Sequence, residues 1–162
     1  MPGIASRVTN LMNAARVFVD TNVLLYSVDL RDPAKRTRSN AWLDALWQSN
    51  SGRLSWQVLH EFYVNAVRKL AVPSEAARES VTLFSLWRPS DTSLGLIERA
   101  WYWMDLAALS YWDSMILASA ERLGCDLLLS EDFQPGRRYD SVTVVNPFET
   151  EPDECGLTAG SN

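Results

Sequence analysis

Two carboxylates in this sequence stand where a strand should end. In RVFVDTNVLLYS, residues 16–27, the apolar run Val17-Phe18-Val19 meets Asp20, Thr21 and Asn22 before apolar residues resume at Val23. In CDLLLSEDF, residues 125–133, a second apolar run meets Ser130, Glu131 and Asp132. Continuous apolar runs of this kind read as strands buried on both faces. Taken singly, each acid has a local explanation, since Asp, Thr and Asn cap helices and make turns. Together they say more, because ligands of open parallel sheets bind beyond the carboxyl ends of the strands. Other chemistries are poorly provided for. There is one histidine, His60, and the two cysteines, Cys125 and Cys155, lie far apart, so no Cys/His zinc cluster exists. A histidine acid–base pair is excluded, and no G-x-S-x-G stretch offers a serine nucleophile. If this chain is an enzyme, carboxylates are its tools.

Two further acids lie on helices. Asp113 follows Ser110 by three residues, the spacing of a capping box, and a carboxylate there is favoured by the helix dipole whether or not it has a function. A helix N-terminus in this architecture also faces the carboxyl edge of the sheet. Glu61 is less obvious. Leu59, Phe62, Tyr63, Ala66 and Leu70 make an apolar stripe at helical spacing, and Glu61 lies nearly opposite it with Asn65 and Arg68. Periodicity alone turns Glu61 toward solvent.

The elements that must position these acids alternate along the chain. A strand over about 16–20 is followed by a short helix, and Asp32-Pro33 opens a helix running to about Gln48, with Gly52 ending that region. Residues 53–55 form a short strand. Ser55 caps a helix over 56–70, Pro73-Ser74 opens one over 75–86, and an extended piece at 88–90 leads to a helix over 92–108. Ser110 starts the next, with Gly124 as its stop, and strands follow at 125–130 and 141–147. This alternation predicts an α/β fold, a three-layer α/β/α sandwich around a short, mostly parallel sheet. The 162 residues suit a single domain, 47% hydrophobic and 22% charged. No window approaches a membrane span and no export signal is evident, so a reduced, cytoplasmic setting is expected. Residues 1–15 read as a flexible extension, of which 1–11 could lie ahead of the natural start, and the acidic 149–162 as a disordered tail. The net charge of −5 argues mildly against binding nucleic acid through charge alone. Basic clusters at Arg31, Lys35, Arg36 and Arg38, at Arg68-Lys69 and at Arg137-Arg138 matter only if they surround a site. Trp101 and Trp103 read as core, with a partner groove as the competing use.

In order and in flanking sequence, the four acids resemble those of PIN-domain nucleases, most closely the VapC-type toxins of bacterial toxin–antitoxin pairs. FVDTNVLLYS resembles the opening strand, QVLHEFYVNAVRK the segment of the second acid, and LSYWDSMILASAERLGCDLLLSEDF the segment of the third and fourth. The closing VVNPF also fits, so the resemblance spans about 16–148. It implies that Asp20, Glu61, Asp113 and Asp132 meet in one cleft. Four clustered carboxylates repel unless cations neutralise them, and hard oxygens with open positions suit Mg²⁺ or Mn²⁺. The implied activity is metal-dependent endoribonuclease cleavage of RNA, leaving a 5′-phosphate and a 3′-hydroxyl. Asp20 and Asp113 would be direct ligands. Glu61 would bind a second metal or orient the water, and Asp132 would act through water. Thr21, Asn22 and Ser130 would hold the carboxylates, while Asn65 and Arg68 are candidate phosphate contacts. Glu131 stands where many relatives carry an amide and is kept as a helper. The implied partners are RNA, a small antitoxin and a second copy of the chain.

Two other readings compete. A catalytically silent RNA- or protein-binding module could use the same fold. A haloacid-dehalogenase-like phosphatase also opens with a strand-end Asp, but it needs a second Asp two residues later, where this chain has Asn22.

Overall fold

The computed structural model describes residues 15–158. Of the expected N-terminal extension, residues 1–14 lie outside them, as do 159–162 of the tail. The described residues form five strands and six α-helices, in the order β1 (Val17–Val19), α1 (Thr21–Val28), α2 (Pro33–Ser49), β2 (Gly52–Arg53), α3 (Trp56–Lys69), α4 (Ser74–Phe84), α5 (Leu94–Ala107), α6 (Tyr111–Arg122), β3 (Leu127–Leu129), β4 (Arg138–Tyr139) and β5 (Val142–Val145). Short 3₁₀ turns cover Ser85–Trp87 and Pro152–Cys155. The sheet order is β2-β1-β3-β5-β4. All neighbours are parallel except β4, which pairs antiparallel with β5. The expected three-layer architecture is therefore present. Among the described residues no helix is long and apolar enough to cross a membrane.

The chain runs from β1 outward to β2, then returns to lay β3 on the other side of β1. That reversal between β1 and β3 is the topological switch point, where a doubly wound sheet opens a crevice at its carboxyl edge. Val17, Phe18 and Val19 are completely buried, and Leu128 and Leu129 beside them likewise. The Asp20 amide donates to the Leu129 carbonyl at 3.0 Å, which sets the ends of the two strands level.

Helix starts and stops follow the local chemistry. Asp32, Ser55, Ser93 and Ser110 each cap a helix by accepting from a backbone N–H three residues on. Gly124, at φ +65°, makes the left-handed step after α6. Gly52 has a different role from the one expected. Asn50 terminates α2 in the left-handed region, whereas Gly52 lies in β2 against the Trp87 indole. A Cβ there would fall 2.4 Å from the ring, so no larger residue fits without movement.

Strand β4 was not foreseen, because two residues carry no periodicity. The tail is not disordered from 149. Thr150 accepts a hydrogen bond from the buried Trp42 indole at 3.0 Å, Pro152–Cys155 forms a 3₁₀ turn, and Leu157 packs into the core at 2% exposure. One well-placed leucine anchors a segment whose average composition reads as unstructured. Cys125 and Cys155 are both free thiols, and burial pushes the Cys125 thiol up to about 12.

Candidate active site

Asp20 is the N-cap of α1 and is only 5% exposed. Its Oδ1 accepts from the Thr21 amide at 2.7 Å, and its Oδ2 accepts from Ser130 Oγ at 2.7 Å and Asn22 Nδ2 at 3.3 Å. The same Asn22 amide nitrogen lies 3.2 Å from Ser130 Oγ and donates to Asp132 Oδ2 at 3.0 Å. Ser130 Oγ in turn accepts from the Asp132 amide at 3.1 Å. The strand-end residues Asp20, Asn22, Ser130 and Asp132 thus form one hydrogen-bonded network across the mouths of β1 and β3. Burial is the main reason that the Asp20 carboxyl is pushed up to about 7; the hydrogen bonds from Ser130 and Thr21 oppose it, and the charges of Asp132 and Asp113 add to it.

Glu61 does not face solvent as periodicity predicts. Helix α3 packs across α1 as well as against the core, so its second face is also covered. Thr21 Oγ1 donates to Glu61 Oε2 at 2.6 Å, and Gln57 Nε2 donates to Oε1 at 2.9 Å. Asp113 sits in the first turn of α6, its amide capped by Ser110 Oγ at 3.1 Å. Its carboxyl is raised chiefly by burial, partly offset by Ser110, with Asp132 and Glu61 adding to the rise. The expected acids thus lie within electrostatic reach of one another, at the end of β1, the end of β3 and the facing turns of α3 and α6.

The remaining candidates divide. Thr21, Asn22 and Ser130 each donate a hydrogen bond to a carboxylate of the group. Asn65 bonds back to the Glu61 carbonyl at 2.8 Å, which occupies its amide within its own helix, and Arg68 is exposed one turn further on. Glu131 turns away from the cluster to an ion pair with Lys35, while its amide donates to Asn22 Oδ1 at 3.3 Å. Lys35 also lies over the rings of Tyr26 and Phe148, at 4.4 Å and 4.9 Å. Its neighbours Arg31 and Arg38 pair with Asp29 and Glu151. The first basic cluster therefore disperses: Arg36 is exposed, and Lys35 reaches Glu131 beside the site.

Sequence reasoning missed Gln57, whose position four residues before Glu61 is a readable signal. It also missed Trp56 and Trp112, which with His60 and Glu61 line a pocket of about 790 Å³.

Among the described residues no three His, Cys, Asp or Glu side chains are gathered closely enough to hold a metal ion by themselves. Mg²⁺ does not require that. It binds through one or two carboxylates and keeps waters, completing its shell with substrate phosphate. Asp20 accepts three hydrogen bonds where a carboxylate offers about four acceptor sites, so it retains capacity for a cation. A buried acid repelled by two others is also a donor set that a divalent ion would relieve. The residues present fit a hard cation shared with water.

A comparison with protein-family models matches the PIN domain over residues 17–140. A comparison with curated proteins finds no match.

Proposed function

The chain belongs to the PIN-domain family, and from that premise we propose that it is a Mg²⁺- or Mn²⁺-dependent endoribonuclease, the toxin of a toxin–antitoxin pair. One observation carries the reading: an almost fully buried carboxylate, Asp20, follows β1 at the switch point of the sheet, within reach of Asp113 and Asp132. A structural acid in that position would be matched with a cation. Here its nearest partners are neutral donors and its nearest charges are like its own.

In this reading Asp20 and Asp113 would hold the metal directly, Asp132 would act through water, and Glu61 would hold a second metal or orient the water. The bound ion supplies a lowered pKa for an attacking water and neutralises charge on the phosphate. The chain's own residues do the positioning. Ser130, Asn22 and the Thr21 amide fix both oxygens of Asp20. Thr21 and Gln57 fix both oxygens of Glu61, which would be placed to orient the water. Hydrolysis adds the water oxygen to phosphorus and releases the 3′ oxygen as a hydroxyl, leaving a 5′-phosphate. Partner surface is available on α5, where Trp101, Tyr102 and Leu106 are exposed while Trp103 is buried. A second copy and an antitoxin segment are the proposed occupants, in the reducing cytoplasm that free thiols suit.

The test is cleavage of total host RNA by the purified protein with Mg²⁺, with Mn²⁺ and with EDTA, alongside Asp20→Asn. Discrete metal-dependent fragments that the variant does not produce support the reading. Undiminished cleavage by Asp20→Asn would overturn the site, and no cleavage under any condition would favour the silent binding module.

A further inference from the structure

Two large aromatic side chains stand in the open beside the acids. Trp56 is 37% exposed and Trp112 is 60% exposed, although Trp42, Trp87 and Trp103 are buried. They come from different elements, the first turn of α3 and the first turn of α6, and both line the pocket whose wall includes Glu61. Trp112 directly precedes Asp113, and Trp56 lies on the helix that carries Glu61. Exposing an indole leaves apolar area in water, and two of them at one pocket next to a carboxylate cluster ask for a flat ligand.

We propose that Trp56 and Trp112 form a stacking site for one unpaired base of the RNA, adjoining the phosphate to be cut. The inference rests on the nuclease reading of the Glu61 cleft and adds the two side chains that would take up a base beside it. A base held on the faces of indoles must leave its own stack, which a paired base in an A-form helix does not do readily. The pocket, at about 790 Å³, is within the range that encloses small ligands.

The walls are braced for such a ligand. Gln57 Nε2 donates to Glu61 Oε1 and lies 3.4 Å from the Trp112 carbonyl, tying the two helix starts together. Tyr111 meets Trp112 edge-on at 5.0 Å. His60 and Asp91 offer further polar groups at the rim. The charge balance points the same way. A net charge of −5 argues mildly against affinity drawn from phosphates alone, which favours contacts to bases as a further source.

The experiment uses Asp20→Asn protein, which binds without cutting, titrated with single-stranded poly(A) and with poly(A)·poly(U) duplex while tryptophan fluorescence is read. The single strand is expected to quench the fluorescence and to bind clearly tighter than the duplex. Adding Trp56→Ala or Trp112→Ala should weaken binding to the single strand by roughly tenfold each, the scale of base–aromatic stacking. Trp→Phe at either position should recover most of the loss, and the loss should persist at high salt because stacking is not ionic. If an alanine variant fails to melt cooperatively, an oligoadenylate carrying abasic nucleotides gives the same test from the other side: it should bind the Asp20→Asn protein as weakly as poly(A) binds an alanine variant. Alanine variants that bind poly(A) as tightly as before, or abasic RNA bound as tightly as poly(A), overturn the stacking site. If the unaltered chain still cuts RNA, that result leaves the nuclease reading intact and the pocket to a protein segment. An unaltered chain that neither binds nor cuts RNA overturns both.

Discussion

Thr21 Oγ1 donates to Glu61 Oε2 at 2.6 Å across 40 residues of sequence, while the Thr21 amide donates to Asp20 Oδ1 at 2.7 Å. One residue therefore sets the position of two acids, one on the sheet edge and one on α3. Thr21→Val keeps the shape and removes the hydroxyl, while Thr21→Ser keeps the donor. Loss of an outer hydrogen bond of this kind typically costs 10–100-fold in activity, so single-turnover cleavage by Thr21→Val is expected to slow by roughly that factor. Thr21→Ser should recover most of it, with RNA affinity little changed in both. Cleavage by Thr21→Val at the parent rate would show that Glu61 needs no such support.

Asp20 gives a pH signature. Its carboxyl titrates at about 7 in the folded protein against 3.8 for an ordinary Asp, chiefly through burial. The native state thus holds a proton that the unfolded chain releases between those values. The stability from this proton is fully present below pH 4 and is lost as pH rises through 7. At ~1.4 kcal/mol per pH unit the loss is a few kcal/mol. Asp113 shifts in the same direction for the same reason. Metal-free parent protein should therefore lose Tm from pH 5 to pH 8 more steeply than Asp20→Asn, which keeps only the Asp113 contribution. Added Mg²⁺ should raise the parent's Tm at pH 8 and leave the variant nearly unmoved. Parallel Tm curves for the two proteins would refute the buried-acid argument.

Gly52→Ala tests a packing contact remote from the acids. The added methyl would fall 2.4–2.6 Å from three atoms of the Trp87 ring, which is itself packed against Trp47 at a tilt and edge-on against Phe84. Overpacking against a rigid ring costs about 1–3 kcal/mol. Urea unfolding should show the midpoint falling with the slope unchanged, and cleavage below the transition should stay normal. A midpoint equal to the parent's would mean that the ring can step aside.

Leu157→Ala measures how firmly the C-terminal segment is seated. A fully buried leucine replaced by alanine costs about 2–5 kcal/mol, and this one closes over the same core as Phe18 and Leu128. Hydrogen exchange should speed up over 146–158. No change in stability or exchange would return the segment to the disordered state that its composition suggests.

What could be read in advance depended on the range of the interaction. Asp20 and Asp132 were legible because a buried apolar run that ends in an acid marks a strand's carboxyl edge. Asp113 was legible through its cap at Ser110. Periodicity alone turned Glu61 toward solvent, because hydrophobic spacing records only the face packed on the core and α3 has a second covered face against α1; only the family resemblance put it in the cleft. The pairing of Glu131 with Lys35 joins residues 96 apart, for which sequence carries no local signal. Strand β4 is too short to have a period, and Leu157 is a single apolar residue in a polar stretch.

The bond from Ser130 to Asp20 spans 110 residues, and β1 lies between strands that are made long after it. Such a layout has a temporal meaning during synthesis. While the ribosome has released β1 but not β3, Asp20 lacks the serine that holds it and the acid that Asn22 ties beside it. A growing chain of this design carries no assembled carboxylate cluster next to the RNA that is translating it, until residue 132 has emerged and the sheet can close.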